Sequence, residues 1–326
     1  MKVCIICEPH YQGDKLFDAY DASRNRDDCL RPWIELRDEL VRRGHEVHTN
    51  DILAPDHADV RIYNQYPVAL PAVRKGSILI LLESRIVRPE GWAETEQAPF
   101  EHVFGWAPRG TPHYSSLRIP YSFVRPASLP EADRKLLCLI SGNKESSAAH
   151  ELYSARRRLI RWFETHASGE FDLFGFGWES GERIDHGLLR RVLGRLGIER
   201  KRPYPSYRGP VLSKLATLAK YKFCIAFENV EGHSGYITEK IFDAMVAGCV
   251  PVYRGAPDIA EAVPRDCFIA GSDFSSTGEL YSFLKGMSED CYHTYQDRIA
   301  GFLAGPSFLE FSPQVFAKRV ADEIIA

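Results

Sequence analysis

One short stretch of this chain collects residues that bind or move charge. In YKFCIAFENVEGHSGYITEKIFDAMVAGCVPVYRG, residues 221–255, an apolar run ends on Glu228 and Asn229, a glycine-bearing loop follows, and a helical pattern opens at Thr238 with Glu239 and Lys240 in its first turn. An apolar run that closes on polar residues reads as a strand, and ligands of open α/β sheets collect at the carboxyl ends of strands. A helix amino terminus offers free N–H groups and partial positive charge to a phosphate, and a lysine there adds a full charge. Lysine in a first turn also runs against the helix dipole, so it calls for a nearby anion or for indifferent solvent. A solvated lysine beside a capping threonine is the plain alternative. A second apolar run, SILILLE at 77–83, also ends on a carboxylate, Glu83.

The rest of the chain supplies the elements that must position these groups. Its 326 residues suit two domains of roughly 150 residues each. KVCIIC at 2–7 reads as a buried strand, PWIELRDELVRRG at 32–44 as a helix closed by Gly44, and HEVHTND as a second strand. Further strands are expected at 77–83, 100–107 and 117–124. Charge and proline gather without periodicity in RPASLPEADRK, 125–135, which places a domain boundary there. The first domain is expected to span 1–128, the second 129–308, and a terminal helix 309–326. The second half restarts the alternation with strands at 136–142, 171–178, 222–229 and 250–255 and helices at 151–167, 213–221 and 238–247. Such βαβ grammar implies parallel sheets with right-handed crossovers, an α/β fold. No internal repeat or low-complexity tract is present.

Composition excludes several classes. The chain is 44% hydrophobic and 26% charged, a globular balance, and no stretch approaches the ~20 apolar residues of a membrane span. MKVCIICEPHYQGD lacks the longer apolar core of a secretion signal, so a cytoplasmic location is expected. Of the eight cysteines, most fall in apolar runs, and the Cys4/Cys7 pair flanks two isoleucines, a core position and not an exposed redox or zinc turn. No second CxxC or His pair completes a zinc site, and a net charge of -3 does not suggest a nucleic-acid binder.

Taken together, YKFCIAFEN, GYITEK and AGCVPVYRGAP resemble the signature of glycosyltransferase family ten, the α-1,3-fucosyltransferases, whose members use GDP-fucose and have a GT-B fold of two Rossmann-like α/β domains facing across a cleft. The resemblance implies a donor pocket lined by Asn229, Tyr236, Glu239 and Lys240. Tyr236 and Glu239 would hydrogen-bond ribose or fucose, and Lys240 would meet the diphosphate. The loop VEGHSG is a residue longer than is usual there, which leaves Asn229 and His233 less firmly placed. Upstream, LISGNKESSAAHELYSARRRLIRWF resembles the family's strand, loop and helix whose first-turn arginine holds the diphosphate. Helix register gives Arg156, with Arg157 as alternative; an exposed basic face over 156–158 is the plain reading. FDLFGFGW at 171–178 resembles the family's FG turn, where the glycines either admit a ligand or simply make the turn. LLESRIVRP resembles the strand end whose glutamate is taken as catalytic base, which assigns Glu83. Partial burial in the cleft would raise its pKa toward neutrality. An ion pair with Arg85 or Arg88 is the competing role, and Glu90, Glu94 and Glu96 are the reserve candidates. The terminal helix PQVFAKRVADEIIA would, as in GT-B proteins, pack back on the first domain.

The implied reaction is metal-independent, inverting transfer of L-fucose from GDP-fucose to a hydroxyl of an oligosaccharide or glycoconjugate, with no cofactor. Side-chain cations then carry the charge that builds on departing GDP, and the chain has no Asp-x-Asp triplet for a metal clamp. Another GDP-sugar as donor is one alternative. A non-catalytic nucleotide-sugar binder is another, against which the joint presence of Glu83, Arg156, Glu239 and Lys240 argues. Lys240→Ala is expected to leave the fold intact. The basic, partly amphipathic segment 186–210 fits either peripheral contact with an anionic membrane or a surface helix leading into the donor domain.

Overall fold

The computed structural model describes residues 1–67, 73–108, 111, 113–122, 134–183 and 201–325. Most of the expected boundary segment 125–135 and of the basic segment 186–210 lies outside the described residues. No described helix is long and apolar enough to cross a membrane.

The first sheet holds β1 (Lys2–Ile6), β2 (Glu46–Thr49), β3 (Val60–Asn64), β4 (Ser77–Leu81), β5 (His102–Gly105) and β6 (Tyr114–Ser116), all parallel, in the order β2-β1-β3-β4-β5-β6. A central strand of a parallel sheet is covered on both faces and so reads as an unbroken apolar run; all five residues of β4, SILIL, are buried. Helix α1 (Arg31–Arg42) buries Trp33, Ile34, Leu36 and Leu40 along one face, and Gly44, in the left-handed region at φ 84°, ends it. Cys4 and Cys7 are buried in this half.

The second sheet holds β7 (Lys135–Ile140), β8 (Phe171–Phe174), β11 (Tyr221–Phe227), β12 (Val250–Arg254) and β13 (Ile269–Ala270), again parallel, in the order β13-β12-β11-β7-β8. A two-residue pair, β9 (Glu182–Arg183) with β10 (Lys201–Arg202), stands apart. Helix α2 (Tyr153–His166) links β7 to β8, α3 (Lys214–Leu218) precedes β11, α4 (Glu239–Val246) links β11 to β12, and α5 (Pro313–Ile325) closes the chain. The chain extends from β7 to one side and then returns to the other with β11, so the order reverses between these two strands. A crevice opens at such a point.

The chain passes between the two cores twice. Leu117 belongs to the first core and Tyr121 to the second, where it packs on Phe242 at 5.5 Å. The strand expected at 117–124 is absent from the described part: residues 117–122 carry no regular structure, and the last strand of the sheet is three residues earlier. The cause is the crossing itself. Pro120 has no N–H to give a ladder, and the Tyr121 N–H donates to the Phe311 carbonyl at 2.7 Å, a partner on the returning chain. Phe311 lies in the second core, and Phe316, Ala317, Val320 and Ala321 of α5 lie in the first. There Phe316 meets Trp33 edge-on at 5.7 Å and Asp322 pairs with Arg43 at 2.7 Å. Phe316 is 2% exposed, so Phe316→Ala should destabilise the protein by about 3 kcal/mol, measured as a lowered urea midpoint at unchanged slope.

Candidate active site

A cavity of about 410 Å³ opens at the carboxyl ends of β7 and β11, at the reversal point of the second sheet, and is roofed by Leu82, Glu83 and Val87 of the first domain. Arg156, Asn229, Tyr236, Glu239 and Lys240 line it together with Glu83, so six of the seven expected site residues converge. Arg157 does not. One turn position away, its guanidinium pairs with Glu145 at 2.9 Å and donates to the Lys144 carbonyl at 2.5 Å, which turns it to the outside of α2. That corrects the alternative register.

The strand end is tied down by a buried network. Arg156, 3% exposed, donates through one guanidinium nitrogen to the carbonyls of Phe227 at 2.5 Å and Glu228 at 2.7 Å and to Asn229 Oδ1 at 3.3 Å. Its Nε is buried without a partner. Arg156 thus fixes the end of β11 and lines the cavity at once, a double role that neither the diphosphate clamp nor the exposed basic face anticipated. Glu228, 0% exposed, accepts from the Thr238 N–H at 2.8 Å and from its hydroxyl at 2.7 Å. Thr238 therefore opens α4 without capping it by its side chain. Gly255 makes room for this carboxylate, because a Cβ there would stand 2.5 Å from Glu228 Cγ. Lys240 Nζ donates to Thr238 Oγ1 at 3.0 Å and lies 3.3 Å from Glu228 and 3.6 Å from Glu239. Lys240 is accordingly the cation of an internal acidic pair as well as a wall of the cavity.

Glu239 is bracketed by two lysines, Lys240 and, at 3.7 Å, Lys214. Lys214 also reaches Asp243, one helical turn on from Glu239, at 2.7 Å. Burial alone would raise the Glu239 carboxyl; the two lysines outweigh it and bring it down to about 2. Glu83 goes the other way. Burial pushes its carboxyl up, the charge of Glu239 adds to the rise, and Lys240 and Lys144 oppose it. Among the described residues its carboxylate has no ion-pair or hydrogen-bond partner: Arg85 lies over the Trp92 ring at 5.5 Å and Arg88 pairs with Glu8. Of the reserve carboxylates, Glu96 accepts from the N–H groups of Gly91 and Ala93 at 3.0 Å each, and none of Glu90, Glu94 and Glu96 lines the cavity.

Tyr236 couples the two domains. It is 1% exposed and packs on Trp106 of the first domain at 4.9 Å. The approach depends on Gly235, at φ 81°, where a Cβ would stand 2.3 Å from the Trp106 carbonyl. The glycine turn after β8 contributes Gly175 and Phe176 to the cavity, and Phe176 is largely exposed. Sequence reasoning missed Lys144, Tyr153 and Lys214, which also line it. Lys144 was legible as part of GNK after β7, but Lys214 precedes the signature by several residues and carries no local mark.

An ionised carboxylate held among cations, a second carboxylate kept basic across the cleft, and lysines at a strand-to-helix crevice can bind a polar, anionic donor and remove a proton from a hydroxyl. Residues 205–298 match the family model described as "Glycosyltransferase family 10 (fucosyltransferase) C-term". The chain is 46% identical over 240 residues to "Alpha-(1,3)-fucosyltransferase 7" of Mus musculus, covering 67% of this chain and 52% of that protein. It is 49% identical over 84 residues to the Bos taurus protein of the same name, 25% of this chain and 24% of that one. The chain therefore spans about half the length, or less, of these curated relatives. In structure it resembles "Crystal Structure of alpha1,3-Fucosyltransferase with GDP-fucose", with TM-score 0.55 and 16% identity over 99% of this chain and 90% of that one. At that identity the likeness is one of fold, two parallel-sheet α/β domains in the GT-B arrangement.

Proposed function

We propose that this chain, which belongs to glycosyltransferase family 10, the fucosyltransferases, transfers L-fucose from GDP-fucose to a hydroxyl of an oligosaccharide or glycoconjugate. The observation that carries the proposal is the opposed pair of carboxylates in one cavity, Glu239 held ionised between lysines and Glu83 held basic on the facing domain. Pairs of acids whose surroundings drive them apart mark a division of labour. Glu83 takes the proton of the acceptor hydroxyl as that oxygen forms a bond to the anomeric carbon. The bond from that carbon to the diphosphate oxygen breaks on the opposite side, GDP carries away the electron pair, and the configuration inverts. Lys240 and Lys144 meet the charge on the departing diphosphate, and Glu239 accepts hydrogen bonds from donor hydroxyls. Side-chain cations in the wall and the absence of an Asp-x-Asp triplet support a transfer that needs no metal.

A thermal-shift and GDP-release panel with chelator present tests this. A ligand that binds only the folded state raises its stability by mass action. GDP and GDP-fucose are expected to stabilise the protein and GDP-fucose to release GDP faster when a glycan acceptor is added. Stabilisation by GDP-mannose or by a UDP-sugar in preference would reassign the donor, and stabilisation by none of them would overturn the transferase reading.

A further inference from the structure

The backbone that carries Lys214 is held by a contact from the other domain. Asp27 and Asp28 hold φ of 53° and 60°, a left-handed conformation that L residues adopt at a cost, and two in succession mark a segment held by its surroundings. The Asp27 carboxylate, 12% exposed, crosses the domain boundary. It accepts from the Ser213 hydroxyl at 2.6 Å and from the Lys214 N–H at 2.9 Å. Ser213 in turn accepts from the Ala216 N–H at 3.2 Å and so starts α3. From that start the Lys214 side chain runs to Asp243 and Glu239 in the cavity wall.

Three carboxylates, Glu228, Glu239 and Asp243, share two ammonium groups, Lys214 and Lys240. Arg156 approaches from α2, and Glu83 adds a further acid from the first domain. Lys144 and Arg26 also line the cavity, and with Lys214 withdrawn one cation fewer would face the same acids, so an incoming diphosphate would be held less firmly.

We propose that Asp27 is a positioning residue of the first domain, which by gripping Ser213 and the Lys214 backbone keeps the Lys214 ammonium in the donor cavity. This rests on the reading of that cavity as a GDP-sugar site. Asp27 touches no substrate; it acts through Lys214.

The test uses the full chain as wild type, Asp27→Ala, Asp27→Asn, Lys214→Met and the Asp27→Ala/Lys214→Met double variant. GDP Kd by calorimetry, melting temperature, and kcat and donor KM with GDP-fucose are measured for each. Lys214→Met should raise GDP Kd and donor KM about tenfold with a smaller change in kcat, and Asp27→Ala about fivefold in the same sense. Asp27→Asn keeps a carbonyl acceptor and tolerates the left-handed region, so it should recover most of the loss. The double variant should bind GDP no worse than Lys214→Met alone, because one effect passes through the other. Three outcomes overturn the proposal: Asp27→Ala with wild-type Kd and KM, a lowered melting temperature with Kd and KM unchanged, or an Asp27→Ala effect that adds in full to Lys214→Met. If wild type binds GDP yet does not turn over GDP-fucose, the fucosyl reading fails alone, and GDP Kd still decides the role of Asp27. If wild type does not bind GDP, both fail.

Discussion

Glu83→Gln should lower kcat about a thousandfold, the range of a lost general base, while GDP binding stays near that of wild type. Glutamine keeps the shape of the side chain and loses the lone pair that can hold a proton at neutral pH. Among the described residues no ion pair or hydrogen bond is broken by the change, so the fold should be untouched. The pH profile provides the second readout. A base works when deprotonated, so kcat/KM should rise with pH through the Glu83 titration. Burial and the neighbouring Glu239 charge place that limb above the ordinary carboxylate range. Removing the like charge by Glu239→Gln should move the limb down in pH, even as donor binding weakens. Retention of more than a tenth of wild-type turnover by Glu83→Gln would remove Glu83 from the chemistry.

Lys240→Ala should cost on the order of a hundredfold in kcat/KM, as expected for one cation facing a departing anion. The sequence alone suggests that the fold would not notice. The structure gives a different outcome, because Lys240 also lies 3.3 Å from Glu228, a carboxylate with no exposure at all. Deleting one partner leaves a buried charge uncompensated, at a cost of about 3 kcal/mol. Glu228→Gln in the same chain removes that charge and keeps an oxygen for Thr238. The double variant should therefore melt nearer to wild type than Lys240→Ala does, yet stay as slow. Recovery of turnover together with stability would show that Lys240 serves the fold and not the donor.

The strands that the chain declares in apolar runs, β1, β4, β7, β11 and β12, lie where their residues predict, because a strand covered on both faces has no choice but to be apolar. β3 escapes notice since VRIYN mixes a buried arginine into the run, and Arg61 is tolerated there only because its guanidinium donates to the carbonyls of Pro55, Lys75 and Ala58. The two helices at Thr277–Gly286 and Glu289–Leu303 bury few residues and so lack a strong apolar stripe; serine caps at Ser276 and Ser288 were their clearest signal. In the site, Glu239 and Lys240 were legible because a helix start, a strand end and two charges stood side by side in sequence. Lys214 and Asp27 were not, because their partners are distant along the chain and only the packing of one domain on the other brings them together.

The double crossing at Tyr121 and Phe311 means that the second domain is inserted into the first and does not follow it. The face of α1 that presents Trp33 has no cover from Phe316 until that residue has been made. At ~5–20 residues per second, the 199 residues added after Leu117 to reach Phe316 take roughly 10–40 s to synthesise. For that interval the first half of the nascent protein carries an open apolar groove, and the second core, which reaches to Phe311, is itself completed only just before Phe316 arrives to cover that groove. The two cores are therefore completed almost together, although the first was begun long before, and the uncovered first domain is the species a chaperone would meet.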